Sequence, residues 1–133
     1  MASIFTKIIN REIPASIIYE DEKHIAFLDI APFEKGHTLV VPKKEYVNIM
    51  EMPEDEYLEL SKIVLKIAQE LEKKLDCGIN IVQNNKTIAH QEVMHVHFHI
   101  IPRRLSKPLY NLENKEVYEE GEIENYKNKL SFN

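Results

Sequence analysis

The chain has 133 residues, 44% hydrophobic and 29% charged, with a formal net charge of −5 at neutral pH. That is enough for one domain with an ordinary core. The acidic balance argues against a general nucleic-acid or membrane-surface binder, whose affinity comes mainly from dense Lys and Arg, but leaves room for a local donor-rich site for a small anion. No stretch approaches the roughly 20 apolar residues of a membrane span, and Met1 to Lys7 lacks the long apolar run of a secretory signal. Cys77 is the single cysteine, so no intramolecular disulfide can form. A reducing compartment, and so the cytosol, is expected.

Ile4 to Asn10 is apolar on one side (Ile4, Phe5, Ile8, Ile9) and suits a short helix. After Pro14, residues 16 to 20 read as a strand rich in β-formers, Asp21-Glu22-Lys23 as a hairpin turn, and His24 to Ile30 as the returning strand. His24, beside the turn, is expected to be solvated. Residues 31 to 36 form a loop punctuated by Pro32 and Gly36. His37 opens a third strand, Thr38 to Val41, whose unbroken apolar run suggests burial on both faces.

Pro53 to Leu75 carries the clearest helical pattern. Pro53 suits the first position, and Glu54, Asp55 and Glu56 suit the positive end of the helix dipole. Leu60, Val64, Ile67, Leu71 and Leu75 make the apolar stripe. Gly78 reads as the stop signal. Ile79 to Gln83 is a fourth strand and 84 to 91 a polar loop. From Ser106 onward the chain is poor in aliphatic residues. Val117 to Tyr126 offers a possible short helix, and an ordered and a mobile tail stand equally open. The element order predicts an α+β domain over 1–105, with a five-stranded antiparallel sheet, one long helix and a short N-terminal helix, followed by a tail over 106–133.

The fifth strand is the most informative stretch. It runs His95-Val96-His97-Phe98-His99-Ile100-Ile101, with Pro102 expected to end it because proline cannot donate to a ladder. Three of the six histidines fall here in strict alternation. Period two puts His95, His97 and His99 on one face, roughly 6.6 Å apart, and Val96, Phe98 and Ile100 on the other. A polar surface strand would explain the row. A site explains it better, because imidazole is the side chain best able to act as base, acid, nucleophile or metal ligand near neutral pH.

The run from His95 to Ile101, with Gln91-Glu92-Val93 before it, resembles the motif of the histidine triad superfamily, closest to its nucleotide-binding phosphoramidase branch. Ile4-Phe5, Ile8-Ile9, Ala26 to Ile30, Gly36 to Val40 and Pro42-Lys43-Lys44 match the same pattern in order, so the likeness spans about residues 3 to 103. The resemblance implies a homodimer whose two sheets join into one. It implies binding of a purine nucleoside monophosphate or its conjugates, and hydrolysis at the α-phosphorus without a cofactor. His97 would be the nucleophile, His99 would hold phosphate oxygens, His95 would orient His97, and His37 would complete the cluster. Asp29 would accept from the ribose, while Ile4, Phe5, Ile8, Phe27 and Ile30 would enclose the base. Asn84, Gln91, Glu92 and Val93 would line the phosphate. Phe27 and Ile8 would belong to the core in any fold of this size, and Asp29 and His37 each also suit a strand end.

Two departures stand out. Many relatives hold a structural zinc with two N-terminal cysteines and a histidine; Ser3, Thr6 and Glu45 occupy those positions here, a poor zinc set, so no metal is expected there. Position 90, usually glycine, is His90, either an added donor near the phosphate or a narrower loop. Two other readings remain open: a metal site built from the His-x-His pair and His37, and a nucleotide sensor or scaffold with little turnover.

Overall fold

The computed structural model describes residues 2–104 and 115–132; the expected boundary at 105–106 lies outside them. Eight elements follow in order: α1 (Ile4–Ile9), β1 (Ile17–Glu20), β2 (His24–Leu28), β3 (Thr38–Pro42), α2 (Glu54–Leu75), β4 (Gly78–Gln83), β5 (Phe98–Arg103) and α3 (Glu122–Leu130). The strands form one antiparallel sheet in the order β1-β2-β3-β5-β4. The expected α+β architecture is therefore present.

Alternate residues of the same strands feed two separate cores. Ile18, Ala26, Leu28, Val40, Val96, Phe98 and Ile100 pack against Leu60, Val64, Ile67 and Leu71 of α2. This is the stripe the helical spacing predicted, and α2 at 22 residues is roughly 33 Å long. On the opposite face Ile25, Phe27, Leu39 and Val41 pack with Phe5 and Ile8 of α1. β2 and β3 are buried along their whole lengths because both faces are covered.

Several local expectations need correction. His24 is not solvated but 4% exposed. Its pairing with Pro42 draws it into the β2–β3 ladder, and its Nδ1 lies 3.0 Å from Asp21 Oδ1. β2 stops at Leu28, leaving Asp29 and Ile30 outside the strand. The residue that ends α2 is Asp76, in the left-handed conformation at φ 48°, and Gly78 instead opens β4. Asp tolerates that conformation better than most residues.

β5 begins at Phe98, not His95, and does not end at Pro102. Pairing with β3 covers only Phe98, His99 and Ile100, whereas β4 pairs on to Arg103. Pro102 thus sits where one side of the strand is free of a ladder partner, the place where proline is tolerated.

The C-terminal helix covers Glu122–Leu130, later than residues 117–126. Its Leu130 is fully buried in the α2-side core. The segment before it lies on the loop ahead of β3: Glu116 N–H donates to Pro32 O at 3.0 Å, and Gly36 N–H donates to the Tyr118 hydroxyl at 2.7 Å. Gly36 has φ +96°, and a Cβ there would meet Leu75 at 2.9 Å and Pro102 at 3.1 Å. Only glycine fits both the conformation and the space, and it delivers the chain to His37.

Candidate active site

The histidines lie on the α1 side of the sheet, opposite α2. Leu39 pairs with His99 and Phe27 with Leu39, so the row inherits the odd-numbered register of the smaller core. Phe5 supports the row edge-on, with ring centroids 5.0 Å from His97, 5.8 Å from His95 and 5.5 Å from Phe27. His97 and His99 approach to 4.9 Å between centroids. This is closer than the spacing along a regular strand; His97 precedes the start of β5 and its ring turns back to the His95 carbonyl.

Hydrogen-bond partners fix every tautomer in the cluster. The Phe33 N–H donates to His37 Nδ1 at 3.2 Å, so in the neutral ring His37 carries its proton on Nε2. That Nε2 lies 3.0 Å from His99 Nδ1 and donates to it. His99 then holds its proton on Nε2. His97 Nδ1 lies 2.7 Å from the His95 carbonyl and must donate to it, which leaves the Nε2 lone pair unprotonated. His95 Nε2 donates to Pro42 O at 2.8 Å. Among the described residues no buried side-chain nitrogen or oxygen lacks a partner. The Nε2 atoms of His97 and His99 have none, so both reach solvent. One offers a lone pair and its neighbour an N–H.

Burial keeps these rings neutral, since taking a charge out of water is costly. It pushes His37 and His99 down to about 3; the neighbouring imidazoles oppose one another's protonation, His37 and His97 acting on His99 and His97 on His37, and the Lys115 ammonium adds to the effect on both. Burial also lowers His95 and His97. Asp29 is shifted upward, mainly by burial. Its Oδ1 accepts from the Ala31 N–H at 2.9 Å, and its Oδ2 lies 3.9 Å from His37 Nε2. Asp29, His37 and His99 each offer one donor atom, all within 4.8 Å of one another, so this trio has the ligand types to hold a metal ion.

The remaining expected site residues divide. Phe5, Ile8 and Phe27 are buried, whereas Ile4 and Ile30 are 49% and 82% exposed, apolar surface that the core does not use. Gln91 is buried with its amide fully engaged: Nε2 donates to the Val47 and Val93 carbonyls and Oε1 accepts from the Lys86 N–H. Its side chain therefore braces the loop and has no free polar atom for a phosphate. Asn84 Nδ2 lies 3.5 Å from the His90 carbonyl. Glu92 is exposed and Val93 partly buried. Among the described residues neither of their backbone N–H groups has a protein acceptor. His90 has φ +71°, in the left-handed region that glycine adopts most easily.

Sequence reasoning missed Lys115. Its ammonium lies 5.0 Å from the centre of the Phe33 ring, which in turn stacks on His37 at 5.8 Å. No periodicity in that polar stretch could have marked it. The hydrogen bonds joining Ser3 to His95 were also unforeseen: Ser3 Oγ lies 2.6 Å from His95 Nδ1.

Comparison with known proteins agrees with this geometry. The HIT domain family model matches residues 10–106. A HIT-like protein of Methanocaldococcus jannaschii is 60% identical over 100 residues, covering 75% of this chain and 78% of that protein. An adenosine 5′-monophosphoramidase of Schizosaccharomyces pombe is 41% identical over 103 residues, covering 77% and 75%. The crystal structure of a zinc-bound histidine triad family protein from Mycobacterium smegmatis superposes with a TM-score of 0.82 at 32% identity, covering 98% and 94%. With its alternating imidazoles on one face of a five-stranded sheet, this chain belongs to the HIT domain family.

Proposed function

We propose that the protein is a nucleotide-binding hydrolase that cleaves purine nucleoside 5′-phosphoramidates or related nucleotidyl conjugates through a covalent nucleotidyl-histidine intermediate. The observation that carries this reading is the 2.7 Å bond from His97 Nδ1 to the His95 carbonyl, which leaves Nε2 a free, neutral nucleophile. The 41% identity to the S. pombe phosphoramidase supports this substrate class.

In the first step His97 Nε2 attacks the α-phosphorus. A P–N(imidazole) bond forms, the P–N bond of the phosphoramidate breaks, and the amine leaves with a proton taken from solvent, which the water of the second step returns. Water then attacks phosphorus, releasing the nucleoside monophosphate and restoring His97. Splitting one displacement into two lowers each barrier. The His99 Nε2–H and the Glu92 and Val93 amides are donors suited to the charge spread over the phosphoryl oxygens. Asp29 accepts from the ribose, and the exposed Ile4 and Ile30 flank the base together with Phe5, Ile8 and Phe27.

The resemblance also brings a homodimer joined through the sheet. β4 is an edge strand, and Ile81, Leu58 and Leu65 are 49%, 52% and 57% exposed, an apolar surface that a second copy would cover. No helix among the described residues is long and apolar enough to cross a membrane. The single cysteine suits a reducing cytosol.

Zinc does not fit at Ser3, Thr6 and Glu45. The set offers two neutral hydroxyls and one carboxylate already bonded to one another, where zinc wants thiolate, imidazole or several carboxylates. That set therefore supplies no metal to the reaction.

The test is turnover of adenosine 5′-phosphoramidate by the native chain and by His97→Ala. The variant is expected to lose turnover and keep adenosine monophosphate binding. Turnover equal to the parent's would remove His97 as nucleophile. Binding without turnover in the native chain would make the protein a nucleotide sensor instead.

A further inference from the structure

The Ser3 and Glu45 contacts do more than fail to bind zinc. Ser3 caps α1, its Oγ accepting from the Thr6 N–H at 3.0 Å. Because His95 Nε2–H is committed to Pro42 O, its Nδ1 is an acceptor, and the single Ser3 hydroxyl proton goes to it at 2.6 Å in preference to Thr6 Oγ1 at 3.3 Å. Glu45 Oε1 accepts from Ser3 N–H at 2.8 Å and from the Thr6 hydroxyl at 2.7 Å. That carboxylate therefore fixes both ends of the first turn of α1 and takes up the Thr6 proton, leaving Ser3 to serve His95. The His95 ring is fully buried and held at both nitrogens. Its own carbonyl receives the His97 Nδ1–H.

We propose that Ser3, supported by Thr6 and Glu45, is a metal-free positioning clamp: it locks the His95 ring, and so the carbonyl that sets the tautomer and aim of His97. The hydroxyl network ties the N-terminal helix to the reacting ring through hydrogen bonds alone. Ser3 touches no substrate. Its effect passes through His95, so it should appear in the chemical step and not in nucleotide affinity. That kinetic expectation rests on the reading of His97 as nucleophile.

Three variants separate clamp from cap. Ser3→Gly deletes the hydroxyl while glycine remains an adequate N-cap. Ser3→Ala deletes both functions, and Ser3→Thr keeps both. With adenosine 5′-phosphoramidate, Ser3→Gly and Ser3→Ala should lower kcat roughly tenfold, the scale of one orienting hydrogen bond. KM and adenosine monophosphate affinity should stay within about twofold on that same reasoning. Ser3→Thr should restore kcat. In ¹⁵N NMR the His97 ring should report a pure Nδ1–H tautomer in the native chain and a mixture in Ser3→Gly. Unchanged kcat in Ser3→Gly would overturn the clamp, as would a parallel fall in nucleotide affinity, which would mean that α1 had moved. Should the native chain hydrolyse no phosphoramidate, the activity fails while the ring signals still decide the clamp: identical His97 shifts in native and Ser3→Gly protein would end it.

Discussion

The two faces of the sheet are cut from the same strands yet behave as different materials. On the α2 side Ala26, Val40 and Ile100 are fully buried among aliphatic residues of the helix. On the α1 side their sequence neighbours Phe27, Leu39 and His99 belong to a smaller core that shares its space with imidazoles. Each buried imidazole nitrogen there has a named acceptor or donor, so burial of polarity is offset bond by bond. The contrast teaches that this fold keeps its larger aliphatic core and its imidazole cluster on opposite sides of one layer, related by a single-residue step in register.

The largest effect that tests this division is on the α2 side. Leu71→Ala, at a fully buried position, should cost about 2–5 kcal/mol of stability. Urea unfolding measures it, and nucleotide binding by the folded protein should be unchanged. Weakened binding without lost stability would break the separation.

The next effect belongs to the histidine side. His37 and His99 lie at about 3 when folded against an ordinary value of 6.5. Between those limits the unfolded chain binds protons that the folded chain refuses, so stability is whole above pH 6.5 and falls as the pH drops toward 3. The raised Asp29 works in the opposite sense, since the folded chain takes its proton more readily than the unfolded one. Unfolding free energy measured across that range should decline with acid, and a flat profile would mean that the imidazoles are not held neutral by burial.

The smallest effect sharpens the picture at Lys115, whose charge acts on His37, His99 and Asp29 together. Lys115→Gln should let both histidines rise toward their ordinary value, so the acid midpoint of stability moves down by roughly a few tenths of a pH unit, as suits a screened charge. High salt should mimic it in the native chain.

Much of this was legible in the residues. Helical spacing from Leu60 to Leu71 and the apolar run from Thr38 to Val41 are local patterns, and local backbone geometry turns them directly into faces. The alternation from His95 to Ile100 likewise separates the imidazole face from the core face. Less legible were positions whose state depends on distant partners. Solvation of His24 was expected from its neighbours, but its burial is decided by Pro42 across the ladder. Pro102 was expected to end β5, but the reach of β4 carries the strand past it. The Gln91 amide is engaged by the Val47 carbonyl, 44 positions away, a partner no local pattern names.

The sequence by itself determined the class of fold, the stripe of α2 and the row of imidazoles, because periods of 3.6 and 2 are properties of the backbone. Tertiary structure alone decided which ring nitrogen carries each proton, that Ser3 reaches His95 across 92 positions of chain, and that Lys115 stands near His37. Those facts depend on hydrogen-bond partners and charges brought together only when the sheet closes, and no local pattern encodes them.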